Sequence, residues 1–183
     1  MKTSKLASPP RSADASTVRI LGIDPGTRKT GWGVVERRGT RLMAIASGIL
    51  RVPAKAPLPA RLHQLHAGLE EVIGTFEPAA IALEDIFFAK YANAAMKLGH
   101  ARGVAMLVCA QHDLTVHEFP PALVKRTVTG RGNAPKEQVA RLVTAVLGLR
   151  ETPGEDAADA LAAAITCLQA QGKSVRLLKG SRR

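Results

Sequence analysis

The chain has 183 residues, of which 46% are hydrophobic, and a formal net charge of +11. That size and content predict a single domain with a real core, and no apolar run approaches the roughly 18 residues that a membrane-crossing helix needs. The positive excess is uneven. Residues 1–17 carry +2, residues 172–183 carry +5, and the body between them carries only +4. A basic tail of that kind either follows a polyanion or serves solubility.

Residues 1–17 are rich in Ser, Pro and Ala and lack an apolar segment. They read as a disordered leader rather than a secretory signal. Three strand-like runs follow, at about residues 18–24, 31–37 and 42–51. The first is apolar on both faces, as in the middle of a sheet. It ends in Asp24, and Pro25-Gly26 then forces a turn. Alone, Asp24 reads as a turn residue; it becomes a metal-ligand candidate if other carboxylates converge on it. Short connections make the three strands antiparallel neighbours. Gly31 and Gly33, flanking Trp32, point to a close backbone approach on the second.

Leu58, Leu62, Leu65, Leu69, Val72 and Phe76 form one apolar helical stripe, which Glu77-Pro78 ends. His63 and His66 lie on it as a solvated or half-buried pair. A short buried strand at 79–83 leads into Glu84. A strand after a helix favours a parallel crossover, which would set Glu84 beside Asp24 at the carboxyl edge of the sheet, where α/β sites are built. Phe87, Phe88 and Tyr91 then cluster near Lys90, in a chain with only six aromatic residues. A helix is predicted over about 93–112. Its Ala95, Gly99 and Gly103 form a small-residue stripe, which marks either internal packing or a dimer seam.

A strand at 114–117 and a short helix at 120–128, carrying Lys125 and Arg126, precede a Gly-rich basic loop at 129–136. With Arg131 and Lys136 beside a helix start, that loop makes a phosphate-site candidate. Asn133 and Pro135 read as start signals for the helix of Val139, Val143 and Leu147. The last helix begins near Glu155. Asp156 and Asp159, three apart, share one of its faces, although acids in a first turn are also ordinary helix-start residues. Ala160, Ala162, Ala163 and Ala164 leave a thin side that can lie close on a sheet. Cys109 and Cys167 sit in apolar helical surroundings and read as buried free thiols, which fits a cytoplasmic protein.

Asp24, Glu84, Asp156 and Asp159 thus have separate reasons to meet. Such a cluster needs cations, and oxygen-only donors select hard ions such as Mg²⁺ or Mn²⁺. Two ions about 3.5–4 Å apart can activate water and stabilise the leaving oxygen of a phosphodiester. Nearby basic and aromatic residues suit a nucleic-acid backbone and unstacked bases. The expected fold is α/β, a ribonuclease-H-like mixed five-stranded sheet with helices on both faces, and the expected activity is a metal-dependent nuclease.

Over about residues 18–171 the chain resembles the RuvC family of Holliday-junction endonucleases. The matching pieces are Gly22-Ile23-Asp24-Pro25-Gly26-Thr27 with Thr30-Gly31-Trp32-Gly33; Glu84 with Phe87-Phe88-Ala89-Lys90; Leu98-Gly99-His100-Ala101-Arg102-Gly103-Val104-Ala105; Val124-Lys125 and Lys136; and Asp156-Ala157-Ala158-Asp159-Ala160-Leu161-Ala162. The resemblance implies a homodimer that resolves four-way DNA junctions by paired symmetric nicks in recombination and repair. It implies catalytic Asp24, Glu84, Asp156 and Asp159 holding Mg²⁺, two ions per subunit, with Mn²⁺ as a substitute. Phe87 would stack on a base, and Lys125 and Lys136 match basic positions linked to DNA binding or catalysis; Phe88, Lys90 and Arg131 are further candidates for DNA binding. Gly99 and Gly103 would lie in the dimer seam, and the branch-migration proteins RuvA and RuvB would be partners. Asp85 is a departure, standing where Gln is familiar. The resemblance covers the expected nuclease domain (18–171); the disordered leader (1–17) and the basic flexible tail (172–183) are expected from composition.

Three other readings compete. A small ribonuclease-H-like nuclease of the YqgF type shares the opening motif, but the aromatic segment and the Asp156/Asp159 pair favour RuvC. A non-catalytic junction-binding protein would not need four intact carboxylates. An actin-like kinase or ATPase needs two domains and a longer chain.

Overall fold

The computed structural model describes residues 17–85 and 92–180. Its elements run β1 (Thr17–Asp24), β2 (Lys29–Arg38), β3 (Arg41–Arg51), α1 (Leu58–Phe76), β4 (Ala80–Glu84), α2 (Ala92–Gln111), β5 (Thr115–Phe119), α3 (Pro121–Thr129), α4 (Lys136–Leu147) and α5 (Glu155–Gly180). The strands form one mixed sheet in the order β3-β2-β1-β4-β5. β1–β2 and β2–β3 are antiparallel, while β1–β4 and β4–β5 are parallel. The expected crossover through α1 is therefore present, and β1 lies at the centre of the sheet.

Alternation along the strands separates two cores. Ile20, Val35 and Ala82 face one way, with Val124 of α3, Val139 and Val143 of α4, and Leu161 and Ile165 of α5. Leu21, Ile23, Val34, Ile81 and Leu83 face the other way, against Leu65, Leu69 and Phe76 of α1 and Ala101, Ala105 and Val108 of α2. Successive side chains of a strand point to opposite faces, so a central strand needs apolar residues at both parities. Helices cover both faces, as expected. Trp32 packs on Phe76 with ring centroids 5.6 Å apart.

Most element ends fall within a residue or two of the sequence expectations. β5 continues through Glu118 and Phe119, because the edge at β4 extends the ladder with the Asp85 amide donating to the Phe119 carbonyl at 2.8 Å. α4 starts directly after Pro135, with no side-chain cap, so Asn133 belongs to the preceding turn. α5 runs to Gly180. No proline interrupts residues 172–180, and Lys, Arg and Leu are good helix formers. Cys109 and Cys167 are free and buried, and burial pushes both thiols up to about 11. Among the described residues, no helix is long and apolar enough to cross a membrane.

Candidate active site

Asp24 is the last residue of β1, opposite Gly31 of β2. On the other side β1 pairs with β4 through Ile23 and Leu83, so the next residue on each strand, Asp24 and Glu84, emerges at the same edge. The turn behind Asp24 is pinned from within. The Thr30 hydroxyl donates to the Gly26 carbonyl at 2.8 Å and accepts from the Gly26 amide at 3.1 Å. A Cβ on Gly26 would come within 2.2 Å of the Lys29 carbonyl oxygen, so only glycine permits this closure. Arg61 of α1 donates to the Thr27 carbonyl at 3.1 Å and ties the turn to the helix layer.

α5 reaches the site because three glycines let it lie on the sheet. Added Cβ atoms would stand 1.8 Å from the Ala160 carbonyl oxygen at Gly22, 1.9 Å from the Asp156 carbonyl oxygen at Gly31 and 2.6 Å from the Leu161 side chain at Gly33. The close approach expected from Gly31 and Gly33 is real, and Gly22 belongs to it as well. On the helix side, Ala160, Ala162, Ala163 and Ala164 are all fully buried. The first turn of α5 is thereby set against the residue opposite Asp24. Asp156 and Asp159 face the same edge, where the helix dipole also favours negative charge.

These acids share one electrostatic field. Burial first, then Glu84, Asp159 and Asp156, push the Asp24 carboxyl up to about 7. Burial and then Asp159 raise Glu84, while Lys136 and Lys125 oppose that shift. Burial raises Asp159, with Lys136 acting against it. The Lys136 ammonium lies 3.5 Å from Asp159 and also hydrogen-bonds Glu155. Both partners, Glu155 foremost, hold it protonated. No three His, Cys, Asp or Glu side chains among the described residues are closed into a ready metal cage. Lys136 is the cation that opposes the upward shifts of Asp24, Glu84 and Asp159. The donor set is nonetheless all oxygen and partly desolvated, which fits hard divalent ions and not zinc.

Of the predicted basic residues, Lys125 and Lys136 act on the acids. Arg131 stands exposed on the loop between α3 and α4, its amide donating to the Thr129 hydroxyl at 3.1 Å. A groove beside the site runs between α4 and α5, lined by Lys136, Arg141, Thr152, Glu155 and Asp159. Phe87, Phe88 and Lys90 lie outside the described residues. Gly99 and Gly103 are on α2, and a Cβ on either would meet nothing within 4 Å. They line an open apolar groove with Leu62, Met96, Val104 and Leu107. Two further residues have no role legible in the sequence. Glu155 holds Lys136 at the lip of the site. Arg102 of α2 donates to the Glu84 carbonyl at 2.6 Å; it lies within a matching family piece that named no role for it.

A ribonuclease-H-like sheet with acids from a central strand, its parallel neighbour and a helix start meeting at one edge defines a class of nuclease. The family model for crossover junction endodeoxyribonuclease RuvC matches residues 20–167. A relative from Sorangium cellulosum, "Crossover junction endodeoxyribonuclease RuvC", is 49% identical over 160 residues, covering 87% of this chain and 89% of the relative. The structure of T. thermophilus RuvC in complex with a Holliday junction substrate superposes with a TM-score of 0.80 at 33% identity, covering 85% of this chain and 96% of that one. The yeast mitochondrial Holliday junction resolvase Ydc2 shares the fold, with a TM-score of 0.65 at 15% identity over 88% of this chain and 82% of that one. The chain belongs to the RuvC family of crossover junction endodeoxyribonucleases.

Proposed function

We propose that this RuvC-family endonuclease resolves four-way DNA junctions with Asp24, Glu84, Asp156 and Asp159 as its metal-holding and catalytic residues. The observation that carries the assignment is the shared field at the sheet edge, where three other acids help to raise Asp24 to about 7. Acids so placed gain stability from a divalent cation, and Mg²⁺ is the ion proposed, two per subunit, with Mn²⁺ able to replace it. When bound, such ions activate a water and stabilise the leaving oxygen of the phosphodiester.

The chain's own residues supply the rest. Pro25, Gly26 and Thr30 hold Asp24 at the edge. Lys136, held protonated by Glu155 and Asp159, is a fixed positive charge for a phosphate oxygen and not a base. Lys125 adds to that potential, and Arg131 offers a backbone contact from its loop. Phe87, Phe88 and Lys90 are assigned to DNA by family resemblance, with Phe87 stacking on a base near the cut. The apolar stripe of α2 with Gly99 and Gly103 is the proposed homodimer seam, since two-fold symmetry turns one nick into a pair. RuvA and RuvB are the proposed branch-migration partners, and the cytoplasm is the proposed compartment.

The test offers a mobile four-way junction with Mg²⁺, beside duplex DNA and RNA, to the native protein and to Asp24→Asn. Paired symmetric nicks confined to the junction, with binding but no cleavage by the variant, are expected. Equal cutting of plain duplex, or full activity of the variant, overturns the assignment.

A further inference from the structure

We propose that Arg102 is a positioning residue for Glu84, fixing its peptide and neutralising the two acids beside it. The inference rests on the reading of Glu84 as a metal ligand. Arg102 is only 8% exposed. One guanidinium nitrogen, Nη1, donates to the Glu84 carbonyl oxygen at 2.6 Å. The other, Nη2, donates to Glu118 Oε2 and lies 3.6 Å from Asp85 Oδ1. The fork therefore closes the carboxyl ends of β4 and β5, next to the point where the Asp85 amide bonds the Phe119 carbonyl. Planar guanidinium donors fix both distance and direction, which a lysine ammonium does not.

Two consequences follow from this placement. First, the direction of the Glu84 side chain depends on the orientation of its peptide, and Arg102 holds that peptide from α2. Second, Asp85 and Glu118 bring further negative charge to an edge already loaded with acids, and Arg102 offsets both. Asp85 is thus accommodated by an existing buried cation. The flanking residues Ala101 and Ala105 are fully buried against the sheet, so the helix carrying Arg102 has little freedom to shift. Supporting contacts of this kind around metal ligands typically alter affinity or activity by about 10–100-fold when removed.

The experiment compares Arg102→Lys, Arg102→Met and Glu84→Gln with the native protein. Mn²⁺ binding is read directly by electron paramagnetic resonance without DNA, junction affinity is read in Ca²⁺, and cleavage is read as a function of Mn²⁺ concentration. Arg102→Lys keeps charge and stem, so it serves if Arg102→Met fails to fold. For Arg102→Lys we expect native circular dichroism, junction affinity within about twofold, and Mn²⁺ binding weakened about tenfold, with cleavage shifted in parallel. Native Mn²⁺ affinity in Arg102→Lys, while Glu84→Gln loses Mn²⁺, overturns the role of Arg102 and leaves the site standing. Unchanged Mn²⁺ binding in Glu84→Gln overturns the site reading itself.

Discussion

Gly31 and Asp156 are in backbone contact across two layers: a Cβ on Gly31 would lie 1.9 Å from the Asp156 carbonyl oxygen. Gly31 is also the cross-strand partner of Asp24. One small residue therefore sets how close the start of α5 comes to the central strand. Gly31→Ala must push α5 outward or bend β2, since neither obstructing group is a flexible side-chain end. Overpacking of this kind costs about 1–3 kcal/mol, a fall in melting temperature of about 3–10 °C. Cleavage should fall more steeply than stability, because Asp156 and Asp159 move with the helix. Thermal melts alongside single-turnover cleavage check both; a variant with native melting and native cleavage contradicts the contact.

The acid cluster predicts an unusual pH dependence for the metal-free protein. The Asp24 carboxyl is raised from an ordinary 3.8 to about 7 by burial and its acidic neighbours. Between those values the folded protein retains a proton that the unfolded chain has released, so stability falls as pH rises and the penalty is complete above the folded value. Glu84 and Asp159 are raised as well and act in the same direction. In a chelator, the melting temperature should drop on the order of 5–10 °C between about pH 5 and pH 8. Asp24→Asn should flatten most of that slope. Adding Mg²⁺ at the higher pH should restore the native protein, because a ligand that binds only the folded state stabilises it. A melting temperature that rises with pH in chelator would contradict the raised carboxyl.

Much of this arrangement was legible from local patterns. Asp24 ends an apolar run before Pro-Gly, Glu84 ends the next parallel strand, and the Asp156/Asp159 pair opens an alanine-rich helix. Those features depend on periodicity and turn chemistry, which act over a few residues. Gly22 was hidden because it sits inside the strand run, where its missing side chain matters only once Ala160 arrives from a distant segment. Glu36 was hidden for a similar reason. It is fully buried, and its cost is offset by Arg19 and Arg38 at 2.6 Å each. Only the β1–β2 register, which pairs Arg19 with Glu36, makes that possible. Arg102 and Glu155 were silent because their partners are fixed by tertiary packing.

Lys136 carries a prediction with a definite sign. It lowers the carboxyl values of Asp24, Glu84 and Asp159, so Lys136→Gln should raise all three further. The metal-free variant should be less stable than the native protein above neutral pH, and the gap should narrow near pH 5, where Asp24 carries a proton. Cleavage should fall about 100-fold, the usual scale for losing a fixed charge at a reacting phosphate or oxyanion, while junction binding weakens much less. Glu155→Gln should do the reverse for Lys136, releasing it from its strongest partner and lowering its proton affinity. Melts at the two pH values and single-turnover rates read these effects separately. Equal stability of Lys136→Gln and native protein above neutral pH would show that the ammonium does not compensate the acids.

The α2 groove gives the last prediction, because here fold stability and assembly should move in opposite directions. Met96 and Leu107 are 61% and 53% exposed, a large apolar contribution on a helix whose opposite face is buried. Added Cβ atoms at Gly99 and Gly103 meet nothing within 4 Å in the single chain. Glycine inside a helix is unfavourable relative to alanine by about 1 kcal/mol. A chain that served only as a monomer would gain from alanine at both positions. In a seam where two helices approach through small residues, the same methyl groups force the helices apart. Gly99→Ala combined with Gly103→Ala should therefore leave circular dichroism native while weakening self-association at least about tenfold. Sedimentation equilibrium across protein concentrations measures this directly, and paired nicks should give way to single, uncoordinated ones. Native dimer affinity together with a raised melting temperature would place the seam on another surface.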